Sequence, residues 1–97
     1  MAEETQYATP SNECLQHCSK LGIVQDKPIM MDYWADSLDN RVIIGVRDSG
    51  EKLLVKSEDE YTSPISKIFK VASTEYIILT ENSIYVVSAN ISSKRIS

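Results

Sequence analysis

Hydrophobic positions along this chain change their period once, and the change divides it into two parts. In the first part Cys14, Leu15, Cys18 and Leu21 recur at i, i+1, i+4 and i+7, an apolar stripe on one face of a helix. Thr9 can cap such a helix and Pro10 suits its first turn, where a missing N–H costs nothing. Gly22 is placed to end it in a left-handed conformation. The pattern therefore predicts an N-terminal amphipathic helix over residues 10–21, docked through Cys14, Leu15, Cys18 and Leu21. Residues 1–8 are polar and are expected to be loose.

From Pro28 onward the period becomes two. Ile29 to Ala35 is rich in Met and aromatic residues, and Asp39-Asn40 marks a turn. Val42, Ile44 and Val46 alternate with Arg41, Gly45 and Arg47, although Ile43 interrupts the polar face. Gly45 inside this strand marks a bulge or a close approach. Asp48 to Glu51 turns the chain toward Leu53-Leu54-Val55, and the acidic loop Ser57 to Ser63 follows. Ile65, Ile68, Phe69 and Val71 form a further strand, and residues 72–75 turn. Tyr76 to Thr80 and Ile84 to Ala89 are then joined by Glu81-Asn82-Ser83.

These six short strands have no helix-length segment between them, so most must pair with antiparallel neighbours. The expected fold is mainly β with one helical cap. Its sheet is an antiparallel meander of five to six strands, forming an SH3-like or Sm-like barrel or a curled open sheet. Residues 9–91 make up a single domain, and residues 92–97 are expected to be a flexible tail.

Composition adds little that contradicts this. The chain has 97 residues, 42% hydrophobic and 25% charged, which suits one modest core. Its formal net charge of −4 disfavours phosphate backbones as partners, which reward clustered Lys and Arg. The opening MAEETQYATPSNE has neither a basic region nor an apolar run, so a secretory route is not expected. No window reaches the roughly 18 apolar residues of a membrane-spanning helix. An intracellular, cytoplasmic setting is the expectation, and two cysteines cannot build a disulfide framework.

Candidate chemistry is sparse. Cys14, His17 and Cys18 are three soft ligands within five residues, but no second Cys or His pair exists to complete a zinc site. Core packing explains both cysteines more simply, and a buried thiol is inert. Glu58-Asp59-Glu60 lacks the ligand spacing and glycine of a calcium loop. There is no Gly-rich phosphate loop. Hence neither catalysis, a metal nor a cofactor is expected. Lys52, Lys56, Lys67 and Lys70 lie near aromatic residues and form the one candidate strip for nucleic acid, although solvated strand faces account for them as well.

More informative is an apolar surplus. Ile43-Ile44, Leu53-Leu54-Val55, Ile77-Ile78-Leu79 and Val86-Val87 place large side chains on both faces of their strands. One helix covers only part of one face. Barrel closure, another copy of the chain or a partner protein must bury the rest. The expected function is therefore a non-enzymatic, self-associating interaction or structural module. A homodimer is favoured, with Ile84, Val86, Ile78 and Leu54 as the interface. A small nucleic-acid-binding barrel is the alternative.

The segments MMDYWADSLDNRVIIGVRDSGEKLLVKSEDEYTSPISKIFKV and EYIILTENSIYVVS resemble small proteins of the nucleocytoplasmic large DNA viruses, including those of amoebal giant viruses. The resemblance spans residues 30–91 and leaves the helix outside it. It implies a host-cytoplasm or virion setting and carries no activity onto particular residues.

Overall fold

The computed structural model describes residues 10–71 and 73–96. Two helices and seven strands follow in the order α1 (Asn12–Gln25), β1 (Ile29–Met30), α2 (Trp34–Leu38), β2 (Ile43–Val46), β3 (Lys52–Val55), β4 (Ile65–Val71), β5 (Glu75–Thr80), β6 (Ile84–Ser88) and β7 (Ser92–Arg95). The strands form two sheets, ordered β1-β6-β5-β4 and β3-β2-β7. The chain is mainly β as the alternation predicts, but the barrel is corrected: the sheets stay separate and do not close. Turns too short for a crossover make β2–β3, β4–β5 and β5–β6 antiparallel, whereas β1–β6 and β2–β7 are parallel.

The apolar surplus is resolved inside the chain. Along β5 and β6, Ile77, Leu79, Ile84 and Val86 join Cys14, Cys18 and Trp34 in one core cluster beneath α1. Ile78 and Val87 instead join Val42, Ile44, Leu54 and Ile91 in a second cluster, between the two sheets. The central sheet is thus covered on both faces. That is the reason its strands read as continuous apolar runs and not as alternation. Each fully buried aliphatic side chain contributes about 1.5–3 kcal/mol relative to exposure.

Several expectations are corrected here. The expected strand from Ile29 to Ala35 is shortened to Ile29–Met30, and Trp34–Leu38 is a helix. Tyr33 and Trp34 enter different clusters, so α2 sits at the rim of β6 and serves both cores. Ser37 secures it: its hydroxyl donates to the Trp34 carbonyl at 2.6 Å and accepts the Ser88 N–H at 2.9 Å. α1 also runs past Gly22. It is Asp26 that turns left-handed (φ 54°) and donates its N–H back to the Gly22 carbonyl. Thr9, like residues 1–8, lies outside the described residues. The observed N-cap is Ser11, whose hydroxyl accepts the Cys14 N–H at 3.1 Å.

The tail is corrected too. Ser92–Arg95 is strand β7, parallel to β2. A Cβ on Gly45 would stand 2.7 Å from Ile96 Cδ1 and 3.0 Å from Val55 Cγ2. Gly45 therefore marks a close approach, one of the two readings its sequence position allows.

Candidate interaction surface

The helix-docking face is mostly where the stripe puts it. Cys14 and Cys18 are buried, and Leu21 packs against the same cluster. Leu15 is the exception, 38% exposed, because one residue beyond Cys14 is a rotation of about 100° away from the core direction. The helix start is held by Glu75 at the head of β5. Its carboxylate accepts the Ser11 N–H at 3.0 Å and the Ser11 hydroxyl at 3.1 Å. Negative charge beside the first turn also complements the helix dipole.

The expected dimer interface is corrected. Ile84, Val86, Ile78 and Leu54 are each 0% exposed within a single chain. β6 is no edge, since β1 and β5 flank it. These side chains are already used by the two cores and are not free for a partner.

What remains open is the other side of the sheet. Glu13, His17, Lys20 and Val24 recur at helical spacing along α1, on the flank next to the buried stripe. Together with Phe69, Lys70 and Val71 of β4 they line a half-open cleft of about 320 Å³ between α1 and β4, floored by Leu21 and Ile77. Ile23 and Val24 at the end of α1 are 83% and 75% exposed. Local pattern hides this surface: Phe69 reads as core like Val71, whereas at the rim of the sheet Val71 is buried and Phe69 is only partly covered.

β4 is the outermost strand beside that cleft, and residues 66–68 and 70 are exposed. A register shift between Ile65 and Lys67 bulges its first half, where the Ser66 hydroxyl donates to the Leu79 carbonyl at 3.2 Å. Lys67 Nζ stands 6.0 Å from the centre of the Phe69 ring.

The lysines do not form one strip. Lys56 turns inward over the Tyr33 ring, 4.5 Å from its centre, and pairs with Asp36 at 3.2 Å and Glu60 at 3.8 Å. Tyr33 packs edge-on against Tyr85 with ring centres 5.2 Å apart. Burial, then Tyr85, Glu60 and Asp32, push its hydroxyl up to about 12. Lys52 and Lys67 border a shallow depression beside the β2–β3 turn, while Lys70 lies at the α1 cleft. The acidic run is likewise structural in part, since the Ser57 hydroxyl accepts the Asp59 N–H and Glu60 meets Lys56.

Both thiols are held neutral. Burial first, then the neighbouring Cys18 and Glu75, push Cys14 up to about 12, and burial also raises Cys18. His17 is exposed on the cleft flank, away from the two thiols in the core. Among the described residues no three His, Cys, Asp or Glu side chains gather as a metal would require. Among those residues, too, no helix is long and apolar enough to cross a membrane. No protein-family model, curated protein or solved structure matches the chain.

Proposed function

We propose that this protein is a non-enzymatic interaction module that self-associates, and that it binds through the α1–β4 side and not through β6. One observation carries the reading: the outer edge of β4, unpaired among the described residues, and a cleft floored by apolar side chains lie side by side, next to the exposed Ile23 and Val24. A seven-residue edge offers main-chain donors and acceptors, and the cleft offers area that gains by leaving water. Against catalysis, the buried thiols are neutral and Tyr33 is sealed between Lys56 and Tyr85. Nucleic acid is disfavoured because Lys56 is committed to two carboxylates and Lys70 lies apart from Lys52 and Lys67. The resemblance of residues 30–91 adds a host-cytoplasm or virion setting to this proposal.

Light scattering on the purified protein tests self-association. A mass of two chains, 2 × 10.9 kDa, is expected at about 100 μM, since association follows mass action. A single-chain mass at that concentration refutes it.

A further inference from the structure

We draw no further inference here: the strongest candidate, the half-open cleft between α1 and β4, belongs to the surface already described, its rim mixes Glu13 with Lys20 and Lys70 so that charge selects no occupant, and nothing among the described residues shows what covers it.

Discussion

Ser37→Ala isolates a single buried hydroxyl whose two partners are known. Ser37 is 0% exposed, and its oxygen joins the Trp34 carbonyl to the Ser88 N–H. β1 pairs with β6 only at Ile84 and Tyr85, so farther along this rim α2 takes the place of a strand. Removing the hydroxyl strands the Ser88 N–H in a buried position and leaves the Trp34 carbonyl without this donor. An unsatisfied buried group costs about 1–3 kcal/mol, and the methyl of alanine replaces almost none of it. With a urea slope of about 1–3 kcal/mol per molar, the unfolding midpoint should fall by roughly 1 M at unchanged slope. Amide exchange gives a second readout, because Ser88 should lose protection before the centre of β5 does. A loss below about 0.5 kcal/mol, with Ser88 still protected, would show that water or another group serves this N–H, and that α2 is not held through Ser37.

Two further outcomes follow from the cores. Leu21→Ala should cost about 1–3 kcal/mol because Leu21 packs against the helix-side cluster, whereas Leu15→Ala should cost less than about 1 kcal/mol. Equal losses in thermal unfolding would show that the helix is rotated from the arrangement described. Cys14 also makes stability depend on alkaline pH. Its folded value is raised from 9.0 to about 12, so its contribution is complete below pH 9 and is lost as pH climbs toward 12. Tyr33, raised from 10.0 to about 12, acts in the same direction. Urea midpoints should decline across that window, and a Cys14→Ala variant should decline less. A flat profile to pH 11 would mean that the thiol reaches water.

The sequence by itself determined the elements whose signal is local. The stripe of Cys14, Cys18 and Leu21 predicts α1, and Glu81-Asn82-Ser83 between two apolar runs predicts the β5–β6 hairpin. In each case neighbours in sequence are also neighbours in space, so periodicity and turn chemistry suffice. The doubled apolar faces of Ile77-Ile78-Leu79 likewise showed that something must cover both sides. What covers them was decided only in three dimensions, because α1 on one face and β2 with β3 on the other belong to distant parts of the chain. β7 is the clearest case. Ser92-Ser93-Lys94-Arg95 has no apolar residue, and its strand exists because the free side of β2 accepts its backbone while Ile91 and Ile96 anchor its ends. The candidate surface shares this dependence. Ile84 and Val86 are indistinguishable by type from an exposed edge; β1 and β5 pair the backbone of β6 on either side, and the cluster beneath α1 buries these side chains. β4, whose sequence reads as a core strand, is left at the rim because the described chain supplies no strand beyond it.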